Sequence, residues 1–214
     1  MRVIGIDPGT ICCWYGIVES GVSLRPMGGQ STTHGGSGVK GEGSNRLQTL
    51  PTGPKDASHR QAPNSELIYI TSGEIRMKKK DTLPERLKVL YDSLKATINE
   101  YKPAHLCIEK IFYHKSIRSA FALGSTRGVA MLLAAENNIP VFEYNSTELK
   151  MALTGYGRAE KRQVKEMVIR ILNLHPPVSP ITKGGIEGGL SEDMTDALAL
   201  CICHINHYTG YNLK

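Results

Sequence analysis

Four carboxylates stand where an acid is costly or unexpected. Asp7 closes the apolar run Val3-Ile4-Gly5-Ile6 just ahead of Pro8-Gly9, and Glu109 interrupts the run Leu106-Cys107-Ile108. Asp193 and Asp196 lie three residues apart at the head of the apolar segment Ala197–Ile202. Residues at that spacing share one face of a helix, so the two can point at one place. Acids converging from different segments suit hard divalent cations such as Mg²⁺, which take oxygen ligands and keep part of their water. Two such ions about 4 Å apart can split a phosphodiester. One helps form the hydroxide nucleophile and the other stabilises the leaving oxygen. Without a cation the same acids would repel one another, and some would stay protonated.

Each acid taken alone has a plainer explanation. Asp7 before Pro-Gly suits a turn. Glu109 could pair with a lysine at a sheet edge, and Asp193 could be a first-turn acid favoured by the helix dipole. Against this, a charge inside an apolar strand is costly unless it is used. The shared face of Asp193 and Asp196 makes that pair more telling than either residue.

The elements that must position these acids can be read from periodicity and punctuation. Arg2–Ile6 reads as a buried strand ended by Asp7-Pro8-Gly9-Thr10, Trp14–Glu19 as a second, and Glu66 to about Met77 as a third. Between them, about 21–64 is rich in Gly, Ser, Thr and Pro and poor in large apolar residues, the pattern of a long mobile surface insertion. Its Lys40, Arg46, Lys55 and Arg60 could touch a polyanion, although a solvated loop accounts for them as well. Thr82 can cap a helix with Pro84 in its first turn and Leu87, Leu90, Tyr91, Leu94 and Ile98 on one side. Ala104–Phe112 follows as a central strand and Ser116–Asn137 as a long helix. Its Gly124 and Gly128 permit close helix approach, in the core or across a dimer. Ile139–Tyr144 reads as a strand, Ser146 as the cap of a short helix Thr147–Leu153, and Ala159–Leu172 as a basic helix. A Pro- and Gly-rich loop at about 175–190 precedes a last helix from near Ser191. A meander followed by alternating helix and strand predicts an α/β fold: a mixed five-stranded sheet with helices on both faces.

Bulk properties narrow the class. A chain of 214 residues fits one domain, with 40% hydrophobic and 21% charged residues. Lys plus Arg number 26 against 20 Asp plus Glu, a net charge of +6, which permits a polyanionic partner without requiring one. No apolar stretch reaches about 18 residues, the length a membrane span needs, and the start lacks the features of a signal peptide. Five cysteines, an odd number with no C-x-x-C pair, favour a reducing cytoplasm.

Taken in order, the segments resemble the RuvC family of Holliday-junction resolvases. They are Gly5-Ile6-Asp7-Pro8-Gly9-Thr10, Leu83-Pro84-Glu85-Arg86-Leu87, Ile108-Glu109-Lys110-Ile111-Phe112, Gly124-Ser125-Thr126-Arg127-Gly128-Val129-Ala130, Pro140-Val141-Phe142-Glu143-Tyr144, Gly157–Val164 and Asp193-Met194-Thr195-Asp196-Ala197-Leu198-Ala199. Residues 1–20 and about 65–205 match in order; the Asp-Pro-Gly turn alone would be weak. The resemblance implies a ribonuclease H-like fold and a homodimer whose subunits each nick one of two opposed strands of four-way junction DNA, in recombination and repair. It makes Asp7, Glu109, Asp193 and Asp196 the metal-binding tetrad, with Mg²⁺, two per subunit, and Mn²⁺ as a substitute. It places Phe112 as an aromatic that stacks on bases near the crossover, and Lys150 and Lys161 at DNA or scissile-phosphate contacts. It also implies work alongside the RuvA and RuvB branch-migration complex. Two features depart from the family pattern: Trp14 stands where a small residue is usual, and the 21–64 and 175–190 segments are far longer than usual.

Three other readings share parts of the pattern. A sugar kinase or actin-like domain also carries an Asp-x-Gly-Thr turn, but it needs a second Asp-containing phosphate loop, which is missing here. Another ribonuclease H-like nuclease would cut RNA–DNA hybrids or flaps. A junction-binding protein without catalysis would not need all four acids.

Overall fold

The four-residue turn between Asp7 and the next strand is tight: a Cβ on Gly9 would stand 2.0 Å from the Cys12 carbonyl oxygen. It joins strands β1 (Arg2–Asp7) and β2 (Cys12–Ser20), which run antiparallel with Gly5 opposite Gly16 and Asp7 opposite Trp14. β3 (Leu67–Arg76) continues the meander antiparallel to β2. On the other side β1 pairs parallel with β4 (His105–Glu109), and β4 with β5 (Val141–Tyr144). The resulting order is β3-β2-β1-β4-β5. The computed structural model describes residues 1–21, 67–110, 117–174 and 190–209, which all belong to one compact unit. The sequence-predicted insertion and the 175–190 loop, apart from their end residues, lie outside the described residues, as does Phe112.

Helices α1 (Leu83–Tyr101) and α2 (Ile117–Glu136) cover one face of the sheet. α3 (Ser146–Thr154), α4 (Lys161–Ile171) and α5 (Glu192–Thr209) cover the other. Strand alternation sorts the two cores: Ile4, Ile6, Ile17, Leu106 and Ile108 pack toward α1 and α2, while Val3, Val18 and Cys107 pack toward α5. This is the mixed sheet covered on both faces that the strand and helix order predicts.

The caps fall close to the expected places, with two shifts. Thr82 starts α1 through a reciprocal cap in which its backbone N–H donates to Glu85 at 2.7 Å. α3 begins one residue earlier than Ser146 as cap would give. Asn145 takes the role, accepting from the Glu148 N–H at 2.8 Å, because its amide oxygen reaches a donor that an Ala or Val could not satisfy. α4 begins at Lys161 rather than Ala159, since Ala159 is buried in the preceding turn and Glu160 is the extended cap.

Helix α5 sits on bare backbone. A Cβ on Gly5 would come within 2.1 Å of the Ala197 carbonyl, and one on Gly16 within 2.7 Å of the Leu198 side chain. The cross-strand glycine pair thus opens a groove into which the helix settles, and that contact sets where its first turn lies.

Candidate active site

Sheet parity brings the acids together. Asp7 lies two residues beyond Gly5 on β1, and Glu109 two beyond Cys107 on β4; Gly5 and Cys107 are paired and both face α5. Both carboxylates therefore leave the sheet at its carboxyl end, on the α5 side. Asp196 directly precedes Ala197, the residue seated on Gly5, so the first turn of α5 overhangs the same spot. One carboxylate oxygen from each of Asp7, Asp193 and Asp196 lies within 4.8 Å of the other two. Glu109 joins Asp7 and Asp196 in lining a cleft of about 150 Å³, to which Lys150 of α3 and Lys161 of α4 also contribute. Asp193 does not line that cleft and joins the group through Asp7 and Asp196.

The electrostatics are those of acids crowded together and only partly offset by lysines. Burial, then Asp196, Glu109 and Asp193, push the Asp7 carboxyl up to about 7. Burial and then Asp196 raise Glu109, with Lys161 and Lys150 opposing. Burial raises Asp196 too, against the pull of Lys161. Lys161, whose ammonium is 3.6 Å from the Asp196 carboxylate, is itself held charged to higher pH chiefly by that acid. Half-buried hard oxygens crowded this closely are the donor set that a divalent cation accepts. The alternative of an edge lysine paired with Glu109 fails: no described residue makes an ion pair with Glu109 within 4 Å, and the adjacent Lys110 pairs with Glu148 instead.

Supporting residues that the sequence reasoning did not single out fix the scaffold. Arg127 of α2 is buried; it donates to the Glu109 carbonyl at 2.5 Å and to the Glu143 carboxylate at 2.7 Å, tying α2 to the ends of β4 and β5. Arg86 donates to the Thr10 carbonyl at 2.6 Å, and buried Thr126 donates to those of Ala122 at 3.0 Å and Gly9 at 3.4 Å. Together these hold the turn that follows Asp7. A signal for Arg127 was available: it shares a helix face with the apolar Ala130 and Ala134, an unusual place for a lone guanidinium.

A family model described as crossover junction endodeoxyribonuclease RuvC matches residues 59–204. The chain belongs to the RuvC family. A RuvC of Cupriavidus metallidurans is 34% identical over 206 residues, spanning 96% of this chain and 84% of the relative. A RuvC of Saccharophagus degradans is 44% identical over 138 residues, 64% of this chain and 73% of that one. Both are named crossover junction endodeoxyribonuclease RuvC. Among solved structures, Thermus thermophilus RuvC in complex with Holliday junction substrate superposes with a TM-score of 0.69 at 21% identity, covering 99% of this chain and 97% of that chain. The yeast mitochondrial Holliday junction resolvase Ydc2 superposes at 0.52 and 12% identity, covering 98% of this chain and 83% of that one. At such identities these likenesses establish the fold, and the ribonuclease H-like expectation holds for this RuvC chain.

Proposed function

We propose that this chain is a crossover junction endodeoxyribonuclease that resolves Holliday junctions by metal-dependent hydrolysis of one phosphodiester in each of two opposed strands. The observation that carries the chemistry is the cluster of Asp7, Asp193 and Asp196, oxygens within 4.8 Å, beside Glu109 and two lysines. Family membership carries the substrate.

The four acids would hold two divalent ions, Mg²⁺ by preference with Mn²⁺ as substitute; when bound, these supply an activated water and neutralise the leaving oxygen. The residues divide the remaining work. Asp7 and Glu109, fixed on neighbouring strands, set one wall, while Asp193 and Asp196 set the other from a helix whose position backbone contact determines. Lys161 stands where its ammonium can steady charge on the attacked phosphate, and Lys150 can bind the strand entering the cleft. Arg127 acts through Glu109, holding its backbone rather than touching substrate. Phe112 remains proposed as a stacking contact near the crossover.

Two opposed nicks need two active sites, and α2 supports a homodimer. Ile117, Phe121 and Leu132 are 68%, 73% and 54% exposed along one stripe of that helix, and Cβ atoms at Gly124 and Gly128 would meet nothing within 4 Å. The glycines therefore do no packing work among the described residues, and a second copy of α2 could approach there. Phe121→Glu is expected to yield a monomer by light scattering. Work with the RuvA and RuvB complex and action in the cytoplasm belong to the same proposal. The cytoplasm is supported by five free cysteines, and no described helix is long and apolar enough to cross a membrane. A single domain with 21–64 as an appended loop is likewise proposed.

The decisive experiment offers the protein a labelled mobile four-way junction, with and without Mg²⁺, beside a linear duplex and an RNA–DNA hybrid. Paired symmetric nicks confined to the junction and requiring metal are expected. Cleavage of the hybrid instead would keep the metal site and reject the substrate.

A further inference from the structure

The residue paired with Asp7 has no part in the chemistry described so far. Asp7 lies opposite Trp14 in the β1–β2 ladder, and Trp14 opposite Glu74 of β3. Partners in an antiparallel ladder project from the same face with Cα atoms roughly 4.5–5.5 Å apart. Gly16 identifies that face. It lies beneath Leu198 of α5, so Trp14, two residues along, projects on the α5 side as Asp7 does. The body of α5 covers Gly5 and Gly16, whereas only its first turn, with Asp193 and Asp196, extends toward the level of Asp7 and Trp14.

Burial separates Trp14 from the core residues of its own strand. Ile17 and Val18 are 0% exposed, while Trp14 is only half-buried. A large indole left partly open at the rim of an acidic cluster has lost part of its packing and gained access to whatever the cluster binds. A phosphate bound at Asp7 and Asp196 would bring its sugar and base within reach of that rim.

We propose that Trp14 contacts the substrate directly, stacking on the nucleotide next to the scissile phosphate and thereby choosing which step is cut. The proposal rests on the nuclease reading above and deepens it. Every base offers a face to an aromatic ring, but stacking strength differs between bases, so one such contact yields a graded sequence preference rather than an absolute one. Glu74 and Arg76, ion-paired at 2.6 Å on the neighbouring strand, flank the indole on the side away from Asp7.

Trp14 is the only tryptophan in the chain, so the emission of the unmodified full-length protein reports this residue alone. The protein is titrated with unlabelled four-way junction, Ca²⁺ replacing Mg²⁺ to prevent cleavage, while anisotropy of a labelled junction follows binding in parallel. Emission is expected to change in step with binding, because stacking replaces water on the indole face by a base. In Mg²⁺, Trp14→Ala is expected to cut the preferred step roughly ten-fold more slowly and to level the ratio between preferred and disfavoured steps; Trp14→Phe should retain most of that ratio. Saturated binding with unchanged emission, or unchanged step ratios in a folded Trp14→Ala, would overturn the contact and leave the nuclease reading intact. No junction binding at all would overturn both.

Discussion

The two ends of α5 hold polar clusters of opposite character. At the amino end Asp193 and Asp196 crowd against Asp7, like charge against like charge, with each of Asp7, Glu109 and Asp196 pushed toward protonation. At the carboxyl end His204 is 0% exposed and saturated with partners: one ring nitrogen meets Tyr144 Oη at 2.8 Å, the other His105 Nδ1 at 2.8 Å. Phe142 and Tyr208 close around it, ring centroids 4.3 and 5.4 Å away. Both clusters are buried titratable groups on one helix. One is satisfied within the protein and contributes to stability. The other crowds like charges that Lys161 offsets only in part, and groups perturbed in this way mark function.

The largest expected effect is on cleavage. Asp7→Asn should abolish junction cutting while junction binding persists; retained cutting would remove Asp7 from the metal site. The same substitution should stabilise the metal-free protein at pH 8, by about 2 kcal/mol allowing for solvent screening. The reason is that wild-type Asp7, raised from 3.8 to about 7 in the fold, holds its charge there against burial and its neighbours. Urea titration without metal checks this, and Mg²⁺ should restabilise the wild type but scarcely the variant.

Next in size is Arg127→Ala, which strips a buried guanidinium from the Glu109 carbonyl and the Glu143 carboxylate. A loss of roughly 3 kcal/mol is expected. Arg127→Lys should keep most of the stability yet lower kcat more than it alters KM, because one ammonium cannot span both acceptors.

The pH profile sets the two ends directly against each other. His204 is pushed from 6.5 down to about 4, by burial first and then by His105 and His207. The unfolded chain therefore binds more protons between these values, and His204's contribution is complete above 6.5 and lost as pH falls toward 4, about 3 kcal/mol in all. Asp7 has the reverse sign. Its folded value lies above its unfolded one, so metal-free stability declines as pH rises from 3.8 to about 7. The opposed slopes should flatten the wild-type profile, and Asp7→Asn should uncover the histidine slope. A flat profile in that variant would mean His204 is not held neutral.

The smallest effect should come from replacing 21–64 with a short turn. Ser20 and Leu67 are already ladder partners, so the strand ends are close enough for a hairpin connection. The melting temperature should move by only a few degrees, and loss of the fold would show that both ends of α5 depend on this segment.

The acidic end was the more legible of the two in the sequence. Asp7 and Glu109 announced themselves by breaking apolar runs, and Asp193 with Asp196 by helical spacing. The mixed five-stranded sheet followed from a meander and alternating helix and strand, whereas its order came only with the structure. The histidine end gave no such signal, because His105, Tyr144 and His204 are far apart in the chain and each is unremarkable in its local pattern; only the β4–β5 register brings them to one helix. Arg127 and Asn145 were missed for a related reason. Each meets a backbone group, the Glu109 carbonyl for Arg127 and the Glu148 N–H for Asn145, and the sequence does not say which backbone groups need a partner. Phe112 falls outside the described residues, so the stacking role rests on the resemblance alone.

The glycine pair beneath α5 has a consequence for metal choice. Because Gly5 lets the Ala197 backbone rest on β1 itself, the gap between Asp7 and the α5 acids is gauged at that contact by main chain against main chain. Mg²⁺ demands near-ideal octahedral spacing, whereas Ca²⁺ tolerates longer and looser coordination. A single methyl at Gly5 would act as a shim, lifting Asp193 and Asp196 away from Asp7 and shifting whatever preference the acids have toward a larger ion.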